Sequence, residues 1–129
     1  MKTQTKRRVL VVDNDEDVLS CLGKGLSEAG YETTTTWSGV EALSLLEAGP
    51  FDSLLVDDYL PDLYIGEFLQ KVSALHVHPK IFVMHLTNPP AFRMDGSPPF
   101  RCVRKGNLSK ILQALADEES EVGPQTWTH

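Results

Sequence analysis

The chain has 129 residues, 41% of them hydrophobic and 23% charged, which fits one globular domain with a real core. Its 18 acids outnumber 12 lysines and arginines for a net charge of −6, which argues against nucleic acid or an anionic membrane as a partner, and the basic start Lys6-Arg7-Arg8 is too short to reverse this. The apolar run that follows, residues 9–12, stops at Asp13, too soon for a signal-peptide core or a membrane span, so a cytoplasmic location is expected.

Residues 1–6 read as a flexible start. The run VLVV at 9–12 has the continuous apolar character of a buried strand. Asp13, Asn14 and Asp15 follow as loop and cap residues. Val18, Leu19, Leu22, Leu26 and Ala29 recur at helical spacing and predict a helix over 16–29, with Gly30 as its stop. Gly23 and Gly25 should weaken that helix by about 1 kcal/mol each relative to alanine. Residues 31–36 are β-branched and aromatic and predict a second strand near a sheet edge. Ser38-x-x-Glu41 is a capping box that opens a helix carrying Val40, Leu43, Leu45 and Leu46 and ending at Gly49-Pro50. A third strand is expected over 51–56. After a loop holding Pro61, a helix over 67–75 places Phe68, Leu69, Val72 and Leu75 on one face. Pro79 precedes a fourth strand over 81–86.

The rhythm breaks at 87–100, where Pro89, Pro90, Pro98, Pro99 and Gly96 leave room for at most one short helical turn. Residues 101–104 form a fifth strand, and Asn107 caps a last helix with Leu108, Ile111, Leu112 and Leu115 on one face. The domain is expected to span 7–117, followed by an acidic flexible tail over 118–129. Cys21 and Cys102 lie far apart with no CxxC and are read as reduced and at least half buried, and Tyr31 and Trp37 as packing residues. Alternation of strands and helices calls for a doubly wound α/β fold with a five-stranded parallel sheet and helices on both faces. Ligands of such sheets bind at the carboxyl ends of the strands. The acids after strands one and three and Lys105 after strand five belong to that end.

Asp13, Asn14 and Asp57 offer oxygen ligands suited to a hard cation such as Mg²⁺. The Asp57 carboxylate can also attack a phosphoryl group to form an aspartyl phosphate, with Lys105 holding the phosphoryl oxygens. Any one of these acids alone reads as a solvated loop or cap residue; three charged groups at the ends of neighbouring strands favour the chemical reading. His76, His78 and His85 lack the partner cluster that a metal site would need. The sequence holds no P-loop, GxGxxG or nucleophile elbow.

The motifs VVDND at 11–15, LLVDDYLP at 54–61 and VRKG at 103–106 resemble the receiver domain of two-component response regulators, over residues 7–117. The most specific is the middle one, an aspartate four residues before a proline at a strand end. The resemblance implies the flavodoxin-like strand order 2-1-3-4-5. It implies Asp57 as acceptor of a phosphoryl group from a histidine kinase or histidine phosphotransfer protein, and Mg²⁺ held by Asp13, Asn14, Asp57 and the backbone carbonyl of Tyr59. It also implies Lys105 as the phosphoryl-binding lysine, and a signalling domain that assists its own phosphorylation and dephosphorylation without being an enzyme.

The chain departs from the family at several places. Asn14 stands where an acid is usual, so the Mg²⁺ site should be weaker. Gly66 comes five residues after Pro61 rather than four, and Gly106 replaces the usual proline after the lysine. Of the switch pair, His85 replaces a threonine or serine, with Thr87 as a weaker candidate, and Cys102 replaces an aromatic. The proline-rich stretch 87–99 stands in place of the fourth helix. Two functions follow. One is a single-domain phosphoacceptor in a phosphorelay, signalling to an output protein by contact. The other is a degenerate receiver serving as a phosphorylation-independent binding or dimerisation module, as a homodimer or with another protein.

Overall fold

The computed structural model describes residues 6–86 and 98–120, with side chains through Asp117. Five strands, β1 (Arg8–Val12), β2 (Glu32–Thr36), β3 (Ser53–Asp57), β4 (Lys80–His85) and β5 (Arg101–Arg104), form one parallel sheet in the order β2-β1-β3-β4-β5. The helices are α1 (Glu16–Glu28), α2 (Gly39–Ala48), α3 (Ile65–Ser73) and α4 (Leu108–Ser120).

Strand parity divides the core in two. Leu10, Val12, Leu54, Val56, Ile81 and Val83 point to one face, where Ala42 and Leu46 of α2 and Ile65, Phe68, Leu69 and Val72 of α3 cover them. Val9, Val11, Leu55, Phe82, Met84 and Val103 point to the other, under Leu22 and Leu26 of α1 and Ile111 and Leu115 of α4. The central strands are therefore apolar on both faces, as their unbroken sequence runs require. The doubly wound fold and its strand order agree with the sequence reading.

Local details differ. Helix α3 starts at Ile65, two residues before the expected 67, because Ile65 and Gly66 are buried and drawn into its first turn. The capping box is half formed: Ser38 Oγ accepts from the Glu41 N–H at 3.0 Å, but the Glu41 carboxylate accepts from the Thr36 hydroxyl, and the Ser38 N–H donates to Thr36 Oγ1. Gly25 costs helix propensity yet serves packing, since a Cβ there would run into the Leu108 side chain where α1 meets α4. Cys21 is exposed rather than half buried, because α1 turns Leu22 and Leu26 inward and leaves the neighbouring position outside. Trp37 does not pack: it is 58% exposed, beyond the last core position of β2. Asn107 caps α4 as expected, its Oδ1 accepting from the Lys110 N–H at 3.1 Å. That helix runs to Ser120, three residues into the expected tail, so the acidic run from Asp117 does not end the backbone ladder. The expected proline-rich loop falls mostly outside the described residues, at 87–97, and so does Thr87.

Candidate phosphoacceptor site

Three strand ladders each run one residue past their strand. The Asp13 N–H donates to the Thr36 carbonyl at 3.1 Å, the Asp58 N–H to Met84 at 3.0 Å and the Lys105 N–H to His85 at 2.7 Å. Parity is thereby kept to the rim of the sheet. Asp13 continues the Val9–Val11 row, Asp57 follows Leu55, and Lys105 follows Val103, so all three side chains leave on the α1/α4 side. They converge: Lys105 Nζ lies 2.9 Å from Asp13 Oδ2 and 3.1 Å from Asp57 Oδ2. Asp13 is fully buried and Asp57 nearly so.

The electrostatics are those of two carboxylates sharing one ammonium. Burial raises Asp13 above the ordinary carboxylate value, against the pull of Lys105 and of the Asp15 N–H that donates to its Oδ1 at 2.9 Å. Burial likewise raises Asp57, and the adjacent Asp58 carboxyl adds to the rise, while Lys105 and the Tyr59 N–H oppose it. For Lys105, burial acts downward, but the two carboxylates together outweigh it and lift the ammonium above its usual range. Asp13 Oδ2 is near the ammonium but makes no aligned hydrogen bond, a buried anionic oxygen with coordination to spare.

The site opens through a cleft of about 590 Å³ lined by Asn14, Asp15, Glu16, Asp57, Asp58, Tyr59, Leu86 and Lys105. Asn14 is exposed at its mouth. Asp15 is turned to cap α1, its Oδ1 accepting from the N–H groups of Asp17 at 2.9 Å and Val18 at 3.4 Å. A hard cation fits the donor set: two buried carboxylates, the Asn14 amide oxygen and the Tyr59 carbonyl are all oxygen ligands at one rim. Among the described residues no three His, Cys, Asp or Glu side chains are already gathered as metal ligands; Asp13 and Asp57 face Lys105.

His85 and Cys102 belong to the opposite parity. His85 follows Ile81 and Val83, and Cys102 pairs with Val83. Neither lines the cleft. His85 is buried and its Nδ1 has no hydrogen-bond partner. Cys102 is a half-buried free thiol, pushed up by burial and then by Asp58. Gly106 has φ of 85°, a left-handed conformation that proline cannot adopt, which accounts for the missing proline. His76 and His78 are exposed.

Two residues lie outside the sequence reading. Asp58, the second aspartate of LLVDDYLP, lines the cleft beside Asp57. Asp62, just after Pro61, accepts from the N–H groups of Gly39 at 3.0 Å and Val40 at 3.1 Å and from the Ser38 hydroxyl at 2.8 Å. It thus ties the loop after Asp57 to the start of α2, and these donors hold its carboxyl below the ordinary range although slight burial acts upward. The signal available was an aspartate within reach of a helix N-terminus with free N–H groups.

The profile of the response regulator receiver domain matches residues 9–95. The transcriptional regulatory protein PrrA of Mycobacterium bovis is 42% identical over 59 residues, 46% of this chain and 25% of PrrA, so the chain matches about a quarter of that protein's length. The response regulator receiver protein CpdR of Brucella abortus is 31% identical over 81 residues, 63% of this chain and 66% of CpdR. The chemotaxis protein CheY4 of Vibrio cholerae superposes with a TM-score of 0.77 at 23% identity, covering 88% of this chain and 98% of that one. A signal receiver domain of an HD domain-containing protein from Pseudomonas fluorescens gives 0.76 at 21% identity, covering 91% and 90%. Receiver domains are signalling domains characteristically phosphorylated on aspartate; they generally bind Mg²⁺ at acidic residues and interact with histidine kinases or phosphotransfer proteins. With a family profile that spans most of the sequence, a matching fold and a carboxylate–lysine cluster at the expected strand ends, the chain belongs to the response regulator receiver domain family.

Proposed function

We propose that Asp57 accepts a phosphoryl group from the phosphohistidine of a kinase or phosphotransfer protein, and that the phosphorylated chain signals by protein–protein contact. The observation that carries this reading is the placement of Asp57 Oδ2 at the floor of an open cleft, 3.1 Å from Lys105 Nζ. A carboxylate oxygen of Asp57 forms the new bond to phosphorus, the bond from phosphorus to the donor imidazole breaks, and that imidazole keeps the electron pair. Lys105 moves from sharing two carboxylates to holding the phosphoryl oxygens, which keeps its charge compensated throughout. Asp13, Asn14, Asp57 and the Tyr59 carbonyl would hold Mg²⁺, which when bound neutralises charge on the transferring group. With Asn14 in place of an acid, the Mg²⁺ site is weaker than one built from three carboxylates.

Read-out is the second part of the proposal. In this reading His85 and Cys102 serve as the switch residues although neither lines the cleft, and the His85 Nδ1, which lacks a partner, takes a new bond when the rim rearranges. Incubation with Mg²⁺ and acetyl phosphate, read by intact mass, should add one phosphoryl group to the wild type and none to Asp57→Asn. A wild type that gains nothing and also fails to bind beryllofluoride would overturn the reading.

A second reading, a phosphorylation-independent binding or dimerisation module, draws support from the apolar side chains around the rim. Trp37, Tyr59, Tyr64 and Leu86 are each more than half exposed. It predicts the same partner or self-association behaviour for wild type and Asp57→Asn, read by sedimentation with and without phosphodonor.

A further inference from the structure

We propose that Asp58 supplies the negative charge that Asn14 lacks, so that a divalent cation at this cleft is held by the field of Asp13, Asp57 and Asp58 together. The inference rests on the cation-assisted reading of the site given above and names the residue that makes it workable in this chain.

The argument starts from charge. Among the residues lining the cleft, Asp15, Glu16, Asp57 and Asp58 face a single lysine, and the buried Asp13 carboxylate stands behind them. Asp15 is committed to the start of α1, where its Oδ1 caps two N–H groups. Lys105 compensates Asp13 and Asp57 at once and has no second charge to offer. Asp58 is left as a carboxylate without a counterion in any described contact, and it lines the same cleft as the exposed Asn14.

Its position is fixed by the backbone. The Asp58 N–H donates to the Met84 carbonyl, which holds the residue at the rim, one step beyond Asp57. Asp57 and Asp58 line the same cleft. Two adjacent carboxylates at neutral pH repel unless a proton or a cation lies between them. The Asp13 Oδ2 oxygen adds to this: it is buried and 2.9 Å from the Lys105 ammonium, yet it makes no aligned hydrogen bond and so keeps coordination to offer. A divalent ion at the mouth, keeping several of its own waters, would relieve both, with Asp58 acting on the ion directly or through one of those waters.

The test is Mg²⁺ titration of the full chain followed by amide chemical shifts, in wild type, Asp58→Asn, Asn14→Asp and the double variant. Shifts remote from the cleft report that each variant is folded. The expected result is a dissociation constant about tenfold weaker in Asp58→Asn, tighter in Asn14→Asp, and close to wild type in the double variant, where the charge has been moved rather than lost. Equal affinity of wild type and Asp58→Asn would overturn the inference while leaving cation-assisted phosphorylation standing. Binding by Asn14→Asp but not by wild type would also overturn it, because Asp58 would then not replace the missing acid. Absence of Mg²⁺ binding in all four proteins would overturn the cation-assisted reading itself together with this inference.

Discussion

The rim of the sheet has two halves built to different standards. At the β1/β3 half, buried charge is compensated by geometry: Asp13 and Asp57 meet Lys105, and Asp62 ties the following loop to α2. At the β4/β5 half, His85 is buried with an unpartnered Nδ1, Cys102 is half buried, and the turn after Lys105 passes through a left-handed glycine. Lys105 belongs to the second half by backbone and to the first by side chain. The contrast is between a half in which the buried charges have partners and a half in which a buried imidazole nitrogen has none.

The sharpest way to break the contrast is to remove the group that joins the halves. Lys105→Met would leave two buried carboxylates facing each other, and we expect a loss of about 3 kcal/mol in urea unfolding at pH 7. A loss below about 1 kcal/mol would mean that water entering through the cleft already solvates both acids, and the first half would no longer be the better compensated one.

Acid should then act in a direction opposite to the usual one for these two groups. Burial raises Asp13 and Asp57 above the ordinary value of 3.8, so the folded chain binds their protons more tightly than the unfolded chain does. Their contribution to stability therefore falls as pH rises from the ordinary value through the raised ones, and the full penalty persists at neutral pH. Asp13→Asn leaves a single carboxylate paired with Lys105 and should raise stability at pH 7. The gain should shrink as pH is lowered through the raised values. Urea midpoints measured from pH 7 down to pH 4 would show it, and a gain that grows on acidification would reverse the sign argued here.

What the sequence disclosed follows the same division. Unbroken apolar runs ending in acids carry both pieces of information needed for the first half: they specify strands buried on both faces, and parity then aims every second residue at the same side of the rim. That is why Asp13, Asp57 and Lys105 could be named before any coordinates. Side-chain commitments were less legible. The sequence does not say that Glu41 bonds Thr36 instead of closing its capping box, or that Asp62 reaches across to α2, because both depend on how two loops lie together. Periodicity alone does not separate Asp57 from Asp58 in role; the resemblance does so by the spacing to Pro61. Cys21 and Trp37 were misplaced for a related reason: residue type suggests burial on average, and one position of rotation on a helix or one residue past a strand decides it.

Gly106 tests whether the turn of the second half is required or incidental. At φ of 85° a Cβ is strained even though none of the surrounding atoms would touch it. Gly106→Ala should cost about 1 kcal/mol from backbone conformation alone. If the turn relaxes to negative φ, the cost disappears and the Lys105 ammonium should move relative to Asp57, seen as a change in Asp57 carboxyl shifts on titration.

The smallest expected effect is the most telling about read-out. His85→Leu keeps the approximate volume and removes both ring nitrogens, one of which is buried without a partner. Deleting a buried polar atom that makes no bond removes a desolvation penalty and costs no interaction, so stability should change by less than about 1 kcal/mol, with a small gain as the natural direction. The same substitution should matter once Asp57 carries a phosphoryl group, if the rim then offers Nδ1 an acceptor. Comparing urea midpoints with and without beryllofluoride separates the two states. Wild type should be stabilised more by beryllofluoride than His85→Leu is. Equal stabilisation would place His85 outside the response and turn the search for a read-out to the β1/β3 half, where Asp62 ties the loop after Asp57 to α2.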